Sequence, residues 1–336
     1  MLLMKKILFI LFITSIGFTS IGQGIHFSQW YEAPLLLNPA NAGSYFGDYR
    51  ANINYRNQWA TVGNSYKTIF ASYDMPIRRN DQDQKSTGLG VSFYNDKAGK
   101  TNYGRTEGTI SISQSVTLTK KMDLSLGLGF EYGQVSANYD NLKWDNQYDG
   151  TKYNAALPTG ENNLNESSTY FDMNVGFLAR FFGRKKNETN IGISLLNATQ
   201  TYKATLANNS SIDQRRMRII GHAVSEIPLE NGNDYIVPTA FYSLQGGSSV
   251  IALGATYKMN VGMQSRYTGY FNASYLEFGG IYRHKDAIVA IVKFDWFKKI
   301  QIGASYDINI SKLRTASVYQ GGFELSLVWK GQFSWN

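Results

Sequence analysis

The chain has 336 residues, with 33 Lys and Arg against 25 Asp and Glu for a formal charge of +8, and it contains no cysteine. Disulfide frameworks and thiolate metal sites are therefore excluded, and three histidines dispersed at positions 26, 222 and 284 give no imidazole cluster for a metal ion. The basic excess is modest and gathers into no basic patch interleaved with aromatics, which argues against nucleic acid as a partner.

Residues 1–22 combine Lys5 and Lys6, an apolar run from Ile7 to Phe18, and a small-x-small ending at Ser20, Ile21 and Gly22. The pattern predicts a secretory signal peptide cleaved before Gln23. Thr14 and Ser15 interrupt the run, which falls short of the roughly 20 continuous apolar residues of a helical anchor. With no Cys after the cleavage point, lipid anchoring there is excluded. Taking Lys5 and Lys6 from the 33 basic residues leaves 31 against 25 acidic, or +6.

Residues 23–47 do not alternate and stand apart as a periplasmic or plug-like lead-in. They contain His26, Phe27, Ser28, Gln29, Trp30 and Tyr31, then the proline-punctuated stretch from Pro34 to Gly43, in which Asn38 and Pro39 form a turn. Two readings stand: a short plug packed under the domain that follows, and a docking surface for a periplasmic partner.

From residue 48 the chain alternates with a period of two. In the first strand Tyr49, Ala51, Ile53 and Tyr55 share one face, and Arg50, Asn52, Asn54 and Arg56 the other. Arg or Asn at every second residue requires one wet face. The second strand covers about Tyr66 to Met75, a polar turn Arg78 to Thr87, and the third about Gly88 to Asn95. The fourth sets Ile110, Ile112, Val116 and Leu118 against Ser111, Ser113, Ser115 and Thr117. The fifth sets Leu124, Leu126, Leu128, Phe130 and Tyr132 against Ser125, Gly127, Gly129, Glu131 and Gly133. A long polar segment, Val135 to Ser168, reads as an external loop. Strand six carries Phe171, Met173, Val175, Phe177 and Ala179 outward, and strand seven lies near Thr189 to Leu196. Strands eight to eleven (Met217–Ile227, Tyr235–Leu244, Val250–Lys258, Tyr275–Arg283) alternate less cleanly. The last three recover the pattern with Ile288 to Trp296, Ile300 to Ile308 and Phe323 to Trp329, and the outward parity continues through Phe333 and Trp335.

No stretch beyond the leader is long and apolar enough for a helical span. Fourteen antiparallel strands with 23 Tyr, 19 Phe, 6 Trp and 32 Gly but only 6 Pro predict an all-β transmembrane barrel of the outer-membrane type, with aromatic girdles and outer-membrane lipid around it. An even strand count puts both termini on one side, the periplasmic one. The longest connections, after strands five and seven, then fall outside.

Catalytic and cofactor signals are weak, and no cofactor is expected. His222 with Ser225 or Glu226 is the nearest arrangement to a hydrolytic site, but on a strand 222 and 225 face opposite sides. Gly127 to Gly129 reads as close strand packing and Gly246–Gly247 as a turn, since neither has the strand-to-helix context of a phosphate loop. The lumenal charges Arg50, Arg56, Glu131, Asp172, Arg180, Lys293, Asp295, Asp307 and Glu324 either line a water-filled pore or pair into a network that blocks it.

The chain resembles the PorP/SprF family of type IX secretion system outer-membrane proteins from Bacteroidetes. The resemblance rests on "HFSQWYEAPLLLNPANAG" at His26 to Gly43, "YRNQW" at Tyr55 to Trp59, "SYD" at Ser72 to Asp74 and again at Ser305 to Asp307, "YRHKDAI" at Tyr282 to Ile288, and "GGFELSL" at Gly321 to Leu327. It implies a non-enzymatic, monomeric barrel within a larger complex. Its partners would be the type IX machinery and a large secreted adhesin-like client, in a process tied to gliding motility. The external loops Val135–Ser168 and Ala198–Gln214 then hold the client, with Trp144, Asn146, Tyr148 and Tyr153 as contact residues, and His26, Phe27, Trp30, Tyr31, Asn38 and Pro39 face the machinery. The alternative is a general or substrate-selective porin.

Overall fold

Strands with one greasy and one wet face satisfy both demands in a membrane only when the sheet closes on itself, because an open edge would leave unpaired amides in hydrocarbon. The computed structural model describes residues 27–59, 65–80, 85–99, 101–139, 142–160, 167–183, 187–203, 213–230, 233–262, 274–312, 315 and 318–332. Among them fourteen strands close an antiparallel barrel: β1 (Tyr49–Gln58), β2 (Tyr66–Asn80), β3 (Lys85–Ala98), β4 (Tyr103–Thr119), β5 (Met122–Ser136), β6 (Ser167–Phe182), β7 (Glu188–Leu196), then β10 (Arg218–Pro228), β11 (Tyr235–Gln245), β12 (Ser248–Asn260), β13 (Tyr275–Arg283), β14 (Ala287–Trp296), β15 (Ile300–Asn309) and β16 (Gln320–Gly331). β1 seals against β16 in unbroken register from Tyr49 opposite Gly331 to Gln58 opposite Gly322. β8 (Tyr202–Lys203) and β9 (Asp213–Gln214) form a two-residue ladder outside the barrel, between β7 and β10. No described helix is long and apolar enough to cross a membrane.

The face assignments of β1 hold: Ile53 is half exposed on the outside, while Asn52, Asn54 and Arg56 are buried within. The same is true of β5, where Leu126 and Tyr132 are exposed and Ser125 and Glu131 buried. The polar turn expected over Arg78–Thr87 needs correction. β2 continues to Asn80 and β3 starts at Lys85, leaving 81–84 as the connection. The ladder shifts register between Pro76 and Arg78, which lets the strand carry a proline that has no N–H to donate.

Tyr49 and Gly331 define a terminal end of the barrel, shared by the connections 120–121, 183–187, 229–234, 261–274 and 297–299. The opposite loop end carries 59–65, 99–102, 246–247, 284–286, 310–319 and the two longest connections, 137–166 and 197–217. At 246–247 both glycines have positive φ, +56° and +88°, as a two-residue hairpin turn whose twist matches the strands demands.

Candidate functional site

The lead-in runs inside the barrel. From Phe27 it makes three short helical turns, Trp30–Glu32, Pro34–Leu37 and Pro39–Asn41, before entering β1. Local sequence explains them. Pro34 and Pro39 each start a turn, where a missing N–H costs nothing. The Asn38 side chain accepts from Ala40 N at 2.9 Å, and Asn41 Nδ2 donates to the Pro34 carbonyl at 2.8 Å.

Buried charges of the wall grip the start of this segment. The Ser28 hydroxyl donates to Asp307 Oδ1 at 2.7 Å and accepts from Arg56 at 2.9 Å and Arg283 at 2.8 Å. Glu324 accepts from the backbone N–H of Ser28 at 2.6 Å and of Gln29 at 3.0 Å. Arg56 bridges Asp307, at 2.8 Å, and Glu324, and Arg283 also reaches Asp307, at 2.9 Å. Each charge has an opposite partner and further hydrogen bonds, the condition under which burying it is tolerable. Lower in the lumen Lys293 pairs with Glu32 at 3.3 Å and Glu277 at 2.7 Å. At the exit Asp74 holds Arg50 through two bonds of 2.9 Å and accepts from Gly43 N at 2.8 Å.

Apolar contacts complete one side. Trp30 and Leu37 pack with Ile220, Phe241, Ile281, Val289 and Ile291, and the Trp30 ring stacks on Phe241 at 5.5 Å between centroids. Phe27, Ala33, Leu35 and Ala42 form a second cluster with Phe70 and Tyr94.

On the facing wall the seat is made by the absence of side chains. A Cβ on Gly127 would lie 2.2 Å from Ala40 N and 2.4 Å from the Pro39 carbonyl carbon, and one on Gly88 would lie 2.1 Å from the Ala42 oxygen. Gly176 and Gly192 make room for the Asn38 amide, whose Nδ2 donates to the Phe177 carbonyl at 3.0 Å and approaches that of Ile193 at 3.3 Å. Ser113 and Ser194 donate to the carbonyls of Ala42 and Leu37, each at 2.5 Å. Gly127, read from sequence as close strand packing, instead accommodates the plug backbone, while Gly129 does pack closely on the neighbouring strand, where a Cβ would lie 3.1 Å from Asn174 Cβ.

Nearer the loop end, Arg215 forms a second network that sequence reasoning missed. It pairs with Glu107 at 3.1 Å, Glu131 at 2.8 Å and Asp172 at 3.0 Å, and lies over the Tyr170 ring at 3.9 Å. The residue stands at the end of a long connection, so strand parity could not assign it to the lumen.

Of the expected contact residues, Phe27, Trp30, Asn38 and Pro39 are buried within the barrel and Tyr31 is partly buried. His26 lies outside the described residues, as do the leader, Phe333, Trp335 and 204–212 of the second loop. In the first loop Tyr148 and Tyr153 are exposed and pair across an isolated bridge around the buried Gln147. Gln147 Oε1 accepts from Trp144 N at 3.2 Å and Tyr153 Oη at 3.3 Å, and Asn146 is exposed beside it. Hydrogen bonds from the N–H of Lys152 and from Thr151 hold the Asp149 carboxyl below the usual carboxylate range. His222 packs near Trp30 and Asn38, while Ser225 bonds Thr189 at 2.6 Å. The two do not meet as a hydrolytic pair. Among the described residues no group of acidic or histidine side chains is placed to hold a metal.

The model of the type IX secretion system membrane protein PorP/SprF matches residues 19–329. The chain belongs to the PorP/SprF family. It is an outer-membrane β-barrel protein of the type IX secretion system, from a family that is not one of enzymes. Within this PorP/SprF barrel the segments carrying the resemblance meet in space: Arg56 of "YRNQW", both "SYD" aspartates, Arg283 of "YRHKDAI" and Glu324 of "GGFELSL" all bond the N-terminal segment or one another. No curated protein matches the chain. Among solved structures it is similar to BamA from Haemophilus ducreyi lacking POTRA domains 1–3, with 11% identity over 84% of this chain and 70% of that one, and a TM-score of 0.41. It is also similar to CdiB from Acinetobacter baumannii, at 7% identity, 84% of this chain and 60% of that one, with a TM-score of 0.44. A third is the TodX deltaS2S3 mutant monoaromatic hydrocarbon channel, at 8% identity, 90% and 94% coverage, and a TM-score of 0.47.

Proposed function

We propose that this barrel serves type IX secretion by binding rather than conduction, holding or handing over a large secreted adhesin-like client at its loop end, in a system that supports gliding motility. Residues 1–22 are a cleaved signal peptide, both termini face the periplasm, and one barrel acts as a monomer within the machinery. The observation that carries the reading is the middle of the lumen, filled by the chain's own N-terminal segment and fixed by the buried Ser28–Arg56–Arg283–Asp307–Glu324 network. A barrel so filled favours recognition at its ends over passage of solutes. Trp144, Asn146, Tyr148 and Tyr153 supply the client contact, on a knuckle that is ordered by its own hydrogen bonds and so loses little entropy on docking.

The test is an affinity pull-down of the tagged protein from its native outer membrane in mild detergent, against a version with 142–160 replaced by a short Gly-Ser linker. Loss of a large co-purifying surface protein with the loop supports docking. Equal recovery from both barrels contradicts it. A stable open conductance of the intact protein in planar bilayers would favour the porin reading.

A further inference from the structure

The plug divides the lumen. Leu35 and Leu36 border a narrow space toward the loop end, while Trp30, Pro34 and Leu37 form the floor of a cavity of about 500 Å3 at the terminal end. That volume lies inside the roughly 300–1,000 Å3 range of ligand sites, and the floor makes it blind. Most charges on its wall are satisfied locally: Lys258 with Glu226 at 2.8 Å, Glu188 with Arg180 at 3.1 Å, and Lys293 with Glu277 at 2.7 Å. Two others make no ion pair among the described residues: Lys330, and Asp295, which accepts from the Lys298 backbone N–H while its Oδ1 is buried without a hydrogen-bond partner. Lys298 also lines the space, its ammonium over the Tyr275 ring at 5.6 Å. Ser44 Oγ, Asn190 Oδ1 and the Trp30 indole N–H, which belongs to a residue only 2% exposed, border the same space and also lack partners.

Such a lining offers donors, acceptors, the ammonium of Lys330 and the open Oδ1 of Asp295 beside the edge-to-face pair Tyr235 and Tyr275. A peptide backbone presents N–H and C=O groups in alternation, and side chains of both signs complement the two unpaired charges. At the cavity's edge Phe46, in the chain leading into β1, is 71% exposed beside Phe182 and Arg180. An exposed aromatic next to a concave site has the form of an interface anchor. We infer that the terminal-end cavity is a docking pocket for a short extended peptide segment of a partner protein, its carboxylate meeting Lys330 and its basic side chain meeting Asp295. The inference concerns the opposite end of the barrel from the client loop and does not depend on that reading.

The probe is a random library of acetylated, amidated tetrapeptides, free of terminal charge, incubated with the immobilised full-length protein in detergent and read by mass spectrometry of the retained sequences. The pocket retains peptides bearing one acidic and one basic side chain at least tenfold over empty detergent micelles. Lys330→Gln abolishes the acidic preference, Asp295→Asn abolishes the basic one, and each leaves the other preference in place. Phe46→Ala, on an exposed ring outside the barrel strands, lowers retention several-fold. Heat-modifiability on gels verifies that each variant is a folded barrel. Retention no better than micelles alone, or charge preferences unchanged in both variants, overturns the inference.

Discussion

The two walls that hold the plug solve the same packing problem in opposite ways. Along β3, β5, β6 and β7 the inward positions facing the plug are Gly88, Gly127, Gly176 and Gly192 with small serines beside them, so the plug's backbone lies against the wall and is fixed by hydrogen bonds. Along β10 to β14 the equivalent inward positions carry Ile220, Phe241, Ile281, Val289 and Ile291, which reach out to Trp30 and Leu37. Where the backbone comes close the wall withdraws its side chains, and where it stands away the wall extends them, because an interior tolerates neither overlap nor voids. Inward parity in a barrel is thus polar by default, and departures from it mark contact with something inside.

The largest effect is expected from inserting bulk on the glycine side. Gly127→Leu places its Cβ on the backbone of Pro39 and Ala40, which no rotamer change relieves. The turn lifts off the wall, and a stable conductance appears in planar bilayers while the barrel still shows heat-modifiability. Next, Arg56→Met strands Glu324 and weakens the hold on Asp307, costing about 3–5 kcal/mol as for other broken buried pairs; reversible urea unfolding in lipid vesicles measures it. On the apolar side Trp30→Ala leaves a cavity worth about 3 kcal/mol, yet the same conductance assay stays silent because the backbone seat is intact. The smallest change is Ser194→Ala, which removes one bond to the Leu37 carbonyl for about 1 kcal/mol by the same unfolding measurement. If Trp30→Ala opened the pore and Gly127→Leu did not, the roles given to the two walls would be reversed.

The strand pattern was readable wherever the lumen is wet. In β1 and β5 polar or small residues face inward and apolar ones outward, and period two locates the strand directly. β10 to β13 blur because apolar residues occupy inward positions too, Ile220, Phe241 and Ile281 among them, so the contrast that reveals a strand weakens where the wall reaches the plug with apolar side chains. The ends of β2 and β3 run past the apolar stretch, since a strand continues into water as long as its ladder is paired. The site was legible as fragments. The tripeptide around Asp74, its counterpart around Asp307, and Arg283 and Glu324 stood out as separate short motifs, but the pairing that joins Ser28 to Asp307 and Glu324 spans more than 270 positions and leaves no local trace. Arg215 left none at all.

The most direct test of the central claim, that the N-terminal segment sits in the glycine seat of the folded barrel, uses the absence of native cysteine. A Cβ at position 129 would lie 3.6 Å from Pro39 Cβ, within the usual separation of a disulfide. Combining Pro39→Cys with Gly129→Cys and oxidising intact outer membranes should give near-complete cross-linking, seen as both thiols becoming inert to maleimide until reduced. Thiols that remain fully reactive in a heat-modifiable barrel would show that the plug does not occupy this seat in the membrane.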